Sequence, residues 1–136
     1  MTPAALKKLC LSFPGAREEF PFDEGTSVFK VAGKIFALSR LTGKPLSVSL
    51  KCEPDLAVQL RTAYPAITGG YHLNKRHWNT VVIDGSVPDR LLREMVEDSY
   101  DLVVAGLPRR EQEKLHWVAL SREETGHPEG HTGVPL

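Results

Sequence analysis

The sequence has few cysteines and no long apolar run, and each of these absences excludes a class of protein. Its 136 residues include two cysteines, Cys10 and Cys52, without a CxxC spacing. Such a pair is typical of reduced, half-buried thiols rather than of a disulfide scaffold. The longest apolar runs, such as residues 102–105, are far too short to span a bilayer. The N-terminus has no basic segment followed by an apolar one, so we predict no signal peptide, no membrane contact and a cytoplasmic location.

The motifs that mark common catalytic sites are also missing. The sequence contains no GxSxG, P-loop or GxGxxG pattern. Cys52 precedes a predicted helix, where the helix dipole can lower a thiol pKa, but a cysteine in this position is more often simply packed. His72 and His77 form one histidine pair and the glycine-rich tail holds another, yet neither pair has an obvious third metal ligand. We therefore predict a protein that is not an enzyme and has no metal or cofactor.

Acidic residues are nearly absent from the middle of the chain. The formal net charge is zero, but residues 25–83 carry eight Lys or Arg against two acids, a net charge of +6. The flanking residues 1–24 and 84–136 are net acidic. Such an asymmetry points to an anionic partner for the basic part.

Apolar periodicity predicts strands in this basic part and a helix before it. Thr2 followed by Pro3 is a typical helix start, and apolar residues then recur at helical spacing until Pro14. Alternating apolar residues separated by short turns then predict consecutive strands, which favour an antiparallel meander with one wet face. These strands are expected at residues 18–22, 26–32, 34–41 and 45–51.

The remaining elements are predicted from helix start and stop signals. One helix begins near Glu53 and ends before Pro65, and a glycine-containing loop then leads to a strand at 77–83. The next helix is expected to start near Asp89, with Ser86 as its capping residue. It ends near residue 106, and a last short helix follows over residues 109–120.

We thus predict a single α+β domain, an antiparallel sheet packed against helices, over residues 1–120. Residues 121–136 contain three glycines and two prolines without sustained apolar periodicity. This composition favours a flexible C-terminal tail.

The segment GGYHLNKRHWN at residues 69–79 combines basic and aromatic side chains, and we predict that it contacts DNA. Its bases can neutralise phosphates and its aromatic rings can stack or wedge. In the alternative interpretation, Tyr71 and Trp78 anchor the loop to the core and the neighbouring bases are merely solvated. Lysines from nearby strands and turns extend the predicted DNA-contacting set, which comprises Tyr71, His72, Lys75, Arg76, His77, Trp78, Lys30, Lys34 and Lys44.

Three segments together carry a family resemblance: residues 28–38, residues 47–52 and, most specifically, YHLNKRHWNTV at residues 71–81. With further matches at 84–85 and 99–103, the chain resembles the MmcQ/YjbR family of small bacterial proteins over roughly residues 3–108. The resemblance implies a CyaY-like α+β fold, described as a double wing, and a DNA-binding role. It implies no catalytic residues.

The leading hypothesis is therefore a monomeric, non-enzymatic and non-specific DNA-binding module. One alternative is a protein-interaction or chaperone-like domain that uses the sheet face. Another is a small-ligand binder built around residues 72–78. The ligand-binding alternative needs a closed pocket lined by His72, Asn74, His77 and Asn79, whereas DNA binding needs an exposed ridge.

Overall fold

A computed structural model of the chain describes residues 1–70 and 73–125. Within these residues, helices and strands follow the order that the periodicity predicts, with one additional strand before β6. The elements are α1 (Pro3–Leu11), β1 (Ala16–Glu19), β2 (Ser27–Val31), β3 (Lys34–Ser39), β4 (Ser47–Lys51), α2 (Pro54–Ala63), β5 (Ile67–Gly69), β6 (Trp78–Val82), α3 (Asp89–Ala105) and α4 (Arg109–Thr125).

The strands form one antiparallel sheet in the order β1-β2-β3-β4-β6-β5. The first four strands make the predicted meander. After α2 the chain returns to place β6 beside β4, and β5 forms the edge beyond β6. An antiparallel sheet with helices packed against it confirms the predicted α+β class. Strand β5 was predicted as loop, because three residues ending in glycine carry too little periodicity to identify a strand.

The helices cover one face of the sheet and leave the other face open. Helix α3 contacts the central strands, α1 contacts β1, and α2 contacts β5 and β6. One apolar core joins these helices to the sheet, and it contains strand residues such as Phe29, Val48 and Val81. We call this side the covered face. The opposite side, the open face, presents half-buried residues such as Ser49 and Thr80.

A β-bulge in β3 adds one residue to the covered face. Phe29 pairs with Ala37 and Lys30 pairs with Ile35, so Phe36 has no counterpart on β2. As a result Phe36 and Ala37 are both fully buried although they are adjacent in sequence. Period-two alternation alone would have sent one of them to the open face.

Ser99 of α3 bridges the sheet where this bulge interrupts the regular pairing. Its buried hydroxyl donates to the carbonyl oxygen of Phe36 at 2.6 Å and accepts from the backbone N–H of Lys51 at 2.8 Å. Phe36 and Lys51 would form the next pair after Ala37 and Leu50 in the β3–β4 register. The hydroxyl therefore connects two strands and ties α3 to the sheet.

The helix starts confirm one predicted cap and correct another. Thr2 caps α1, accepting a hydrogen bond from the Ala5 N–H at 3.1 Å. Ser86 does not cap α3; its hydroxyl donates to Asp84 Oδ1 at 2.6 Å instead, which builds a turn before Pro88.

The last helix, α4, is longer than predicted. It runs to Thr125 rather than to residue 120, since residues 121–124 include arginine and two glutamates that favour helix. The first residues of the predicted tail are therefore helical, and residues 126–136 lie outside the described part. None of the helices in the described part has the length and apolar character needed to cross a membrane.

Candidate functional site

The sheet topology brings bases from distant segments to one end of the sheet. Strands β3 and β6 both run antiparallel to β4, so Lys34 and Trp78 at their starts lie at the end where β4 finishes with Lys51. Since β3 and β6 flank β4, Lys34 and Trp78 are separated by about 10 Å across the sheet, at roughly 4.8 Å per strand, and by a further two residues, or about 7 Å, along it. The loop before β6 carries further bases to the same place. We call this set the basic end: Lys34, Lys51, Lys75, Arg76 and His77.

An exposed turn at residues 74–76 forms the outermost part of the basic end. Asn74 builds this turn: its side-chain Oδ1 accepts a hydrogen bond from the Arg76 N–H at 2.9 Å, and its carbonyl oxygen accepts from the N–H groups of His77 and Trp78 at 3.1 and 2.9 Å. Asparagine commonly forms turns of this kind. Among the described residues Arg76 has no ion-pair partner, so a defined turn presents its guanidinium to solvent.

Lys75 has a structural role that the sequence did not reveal. Its ammonium donates to the carbonyl oxygen of Gly70 at 3.2 Å. The N–H of Gly70 in turn donates to the carbonyl oxygen of Trp78 at 2.9 Å. A side chain on Gly70 would meet Trp78 Cβ at 2.9 Å, so the close approach requires glycine. Lys75 therefore helps to close the loop, and Arg76 is the better placed of the two bases to contact a ligand.

Arg61 and Asn79 anchor this loop to α2. Asn79 is fully buried on the covered face, where its Oδ1 accepts from Arg61 Nη1 at 2.7 Å and its Nδ2 donates to the Ala57 carbonyl oxygen at 3.3 Å. The same Arg61 nitrogen donates to the carbonyl oxygen of Lys75 at 3.0 Å. Arg61, one of the eight central bases of the sequence, is thus part of the internal structure.

These contacts argue against the closed pocket that the small-ligand alternative requires. Asn79 points into the core and Asn74 lies in the exposed turn, so the two do not converge. His77 is half-buried, and its carbonyl oxygen accepts from the Cys52 N–H at 2.8 Å. The other two predicted site residues of this segment, Tyr71 and His72, lie outside the described residues. Trp78 is partly exposed and pairs with Lys51 across the open face.

Two of the predicted contact lysines do not join the exposed part of the basic end. Lys30 forms a 3.0 Å ion pair with Glu19 of the adjacent strand β1. Lys44 lies in the β3–β4 connection, which antiparallel pairing places at the opposite end of the sheet from the β2–β3 turn. Lys51, which was not among the predicted contact residues, lies at the basic end instead. The sequence showed that Lys51 points away from the apolar side of its strand, but only strand pairing brought it beside Trp78.

A pocket that the sequence did not predict lies on the open face. Its volume is about 560 Å³, and residues from β3, β4, β6 and three loops line it. Because these segments are far apart in the chain, no local motif could indicate the pocket. Its lining includes Phe22, Ile35, Leu38, Ser49, Leu73 and Thr80.

The helical side of the same region is acidic. A shallow cleft of about 360 Å³ between α2 and α3 is lined by Cys52, Glu53, Asp98 and Asp101. Burial, followed by the carboxylates of Glu53 and Asp98, raises the pKa of the Cys52 thiol, so the helix start does not activate it. Burial and the neighbouring carboxylates, Asp101 foremost, also raise the pKa of Asp98. No group of three or more metal-ligating residues occurs within residues 1–70 and 73–125.

Comparison with known proteins finds relatives over most of the chain. A family model described as YjbR matches residues 11–102. The chain is 40% identical to the uncharacterized protein YbdF of Escherichia coli O157:H7 over 110 residues, which cover 80% of this chain and 89% of YbdF. It is 36% identical to the uncharacterized protein YjbR of Escherichia coli strain K12 over 115 residues, or 85% and 98% of the two chains.

Solved structures show the same fold. A crystal structure of a Deinococcus radiodurans protein with a DUF419 domain matches with a TM-score of 0.77 and 40% identity, covering 99% of this chain and 95% of that one. A crystal structure of a Pseudomonas syringae protein matches with a TM-score of 0.65 and 25% identity, covering 75% and 98%. The names of these proteins state neither a ligand nor an activity.

Proposed function

The chain belongs to the YjbR family, and we propose that it is a monomeric, non-enzymatic DNA-binding module that contacts phosphates with the basic end of its sheet. One observation supports this most strongly: the exposed turn at residues 74–76 lies at the same end of the sheet as Lys34 and Lys51. Because duplex DNA carries one phosphate charge for about every 1.7 Å of its axis, several bases at one end of the sheet can contact the same duplex.

The proposal implies weak binding that depends on salt. The basic end can make at most about four phosphate contacts, one for each of Lys34, Lys51, Lys75 and Arg76. In a plot of the logarithm of the association constant for duplex DNA against the logarithm of the salt concentration, we therefore expect a slope near −4. Dissociation constants for non-specific binders of this kind lie at about 10⁻⁴–10⁻⁶ M. The acidic cleft between α2 and α3 orients the ligand towards the open face, because it repels phosphates on the helical side.

The side chains that could act as a nucleophile or a polar catalytic group are neutral or already hydrogen-bonded within the protein, which supports binding rather than catalysis. The Cys52 thiol has a raised pKa and is held neutral by burial, which makes it a poor nucleophile. Arg61 and Asn79, the polar pair nearest the basic end, are engaged in internal hydrogen bonds. The remaining bases are suited to contact a polyanion.

The test reverses charge at the two ends of the sheet. In Lys34→Glu/Arg76→Glu, two phosphate contacts are lost, and we expect affinity for a labelled duplex to fall at least about tenfold and the salt slope to lose about two units. Lys44→Glu is the matched control, since it changes charge at the opposite end and should alter affinity by less than about twofold. Fluorescence anisotropy titrations at several salt concentrations measure both quantities. Equal affinity of the double variant and the unmodified protein would reject the proposal.

A second candidate is the protein-interaction domain that uses the sheet face. The phenylalanines Phe20 and Phe22, which follow β1, are 51% and 66% exposed, more than such residues usually are. If the protein binds no DNA at low salt, this alternative becomes the better explanation of the open face.

A further inference from the structure

We propose that the pocket on the open face seats one unpaired base, so that the protein prefers single-stranded DNA to duplex DNA. This inference rests on the proposed DNA-binding function and adds the form of DNA that is recognised. The pocket, which we call the sheet pocket, has a volume of about 560 Å³. That lies within the 300–1,000 Å³ or so that is usual for small-molecule sites.

The sheet pocket is continuous with the basic end. Ser49 in its lining is two residues from Lys51 on the same face of β4, a distance of about 7 Å along the strand. Leu73, at another edge of the pocket, belongs to the loop that carries Arg76. A nucleic acid strand held by Lys51 and Arg76 therefore lies next to the opening of the pocket.

The lining of the sheet pocket suits a flat heterocycle. Ile35 and Leu38 provide an apolar surface, and the ring of Phe22 is largely exposed at the edge. The hydroxyls of Ser49 and Thr80 lie 2.8 Å apart, and either can be the donor in the hydrogen bond between them. Since a hydroxyl both donates and accepts, Ser49 can meet either the N–H or the carbonyl edge of a base.

Charge at the sheet pocket favours a neutral ring over a phosphate. The basic residue in its lining is Arg40, whose Nη1 contacts Asp23 Oδ1 at 3.3 Å and Thr26 Oγ1 at 3.2 Å. The Asp23 carboxylate thus offsets this guanidinium. We therefore place the base in the pocket and the adjacent phosphates at the basic end.

Only an unpaired base can use this arrangement. In a duplex the faces of each base are covered by its neighbours, and extruding one requires unstacking and unpairing. In a single strand the bases are available to stack on protein aromatic rings, a contact that tolerates any base sequence. The sheet pocket should therefore add affinity for single strands and none for duplex DNA.

The test compares two exposed phenylalanines. Phe22 lines the sheet pocket, whereas Phe20 is similarly exposed and is absent from its lining. Anisotropy titrations use a labelled single strand of about twenty nucleotides of mixed sequence without self-complementarity, and the duplex formed with its complement. We expect the unmodified protein to bind the single strand about tenfold more tightly than the duplex. Phe22→Ala should weaken single-strand binding by about 5- to 150-fold, the range for loss of one stacked base, and leave duplex binding within about twofold.

The outcomes separate this inference from the proposed function. The control Phe20→Ala should bind both forms of DNA as the unmodified protein does. If the protein binds duplex and single strand equally, or if Phe22→Ala and Phe20→Ala behave alike, the pocket proposal is wrong and phosphate binding by the basic end still holds. If neither form binds, both proposals fail. Because both side chains are exposed, the variants should keep the circular dichroism spectrum and Tm of the unmodified protein.

Discussion

The two faces of the sheet are made of the same strands, yet they are organised differently. On the covered face, residues such as Phe29, Val48 and Val81 are fully buried. No buried side-chain nitrogen or oxygen in the described part of the chain lacks a hydrogen-bond partner. On the open face, half-buried hydroxyls such as Ser49 and Thr80 surround a pocket beside exposed bases. The covered face therefore holds the fold together, and the open face is available for binding.

The family signature YHLNKRHWNTV is divided between these two roles. Asn79 and Val81 face the core, while Trp78 and Thr80 face outward on the same strand. A specific motif in a sequence is thus not a binding motif throughout. In this segment of the described chain, Arg76 lies in the exposed turn before β6 and belongs to neither face.

The largest expected change in the free energy of unfolding comes from truncating a phenylalanine on the covered face, and the same truncation on the open face serves as its comparison. Phe36 is fully buried and packs edge-on against the rings of Phe13 and Tyr100 at centroid distances of 5.9 and 5.4 Å. Phe36→Ala should lower the free energy of unfolding by about 3–5 kcal/mol, because it leaves a cavity. Phe22→Ala, the same change on the open side, should cost within about 0.5 kcal/mol. Urea unfolding measures both, and comparable losses would refute the division between the faces.

A smaller loss is expected from a single hydroxyl on the covered face. Ser99→Ala leaves the Phe36 carbonyl and the Lys51 N–H without their common partner, which should cost about 1–3 kcal/mol. The control is Ser86→Ala, which removes an exposed hydroxyl that the sequence wrongly marked as a helix cap. Its effect should stay within about 0.5 kcal/mol. A larger loss for Ser86→Ala than for Ser99→Ala in urea unfolding would contradict this reading of the sheet.

A third effect is absent near neutral pH and appears only in alkaline solution. Burial in the core, with a lesser contribution from the Glu18 carboxylate, raises the pKa of the Cys10 thiol from 9.0 to about 12. Between these values the unfolded chain loses the thiol proton and the folded chain keeps it. Stability is therefore lost as pH rises above 9, by up to about 1.4 kcal/mol per pH unit.

This dependence is isolated by comparison with Cys10→Ala. Other groups titrate in the same range, so the quantity of interest is the difference between the two proteins in urea unfolding from pH 8 to about 10.5. We expect the variant to show the shallower decline. Parallel declines would indicate that the thiol reaches solvent and that the core beneath the covered face is less closed than the structure shows.

Local signals in the sequence predicted most of the elements. Thr2 capped the first helix as expected, and the Ala32-Gly33 turn adopts the positive φ angles of 50° and 79° that a tight hairpin needs. Local signals failed where pairing across the chain decides the outcome. Strand β5 exists because it pairs with β6, and the bulge at Phe36 is visible only from the register between β2 and β3.

By itself, therefore, the sequence determined the α+β class, the meander, the family and the concentration of bases in the middle of the chain. Only the tertiary structure decided which of those bases meet. Antiparallel pairing brought Lys34, Lys51 and Arg76 to one end of the sheet and sent Lys44 to the other. Internal hydrogen bonds occupy the guanidinium of Arg61, which is half-buried. The physical reason is that apolar periodicity and secondary-structure propensity depend on residues close together in the sequence. Strand register and burial depend instead on contacts between residues far apart in the chain.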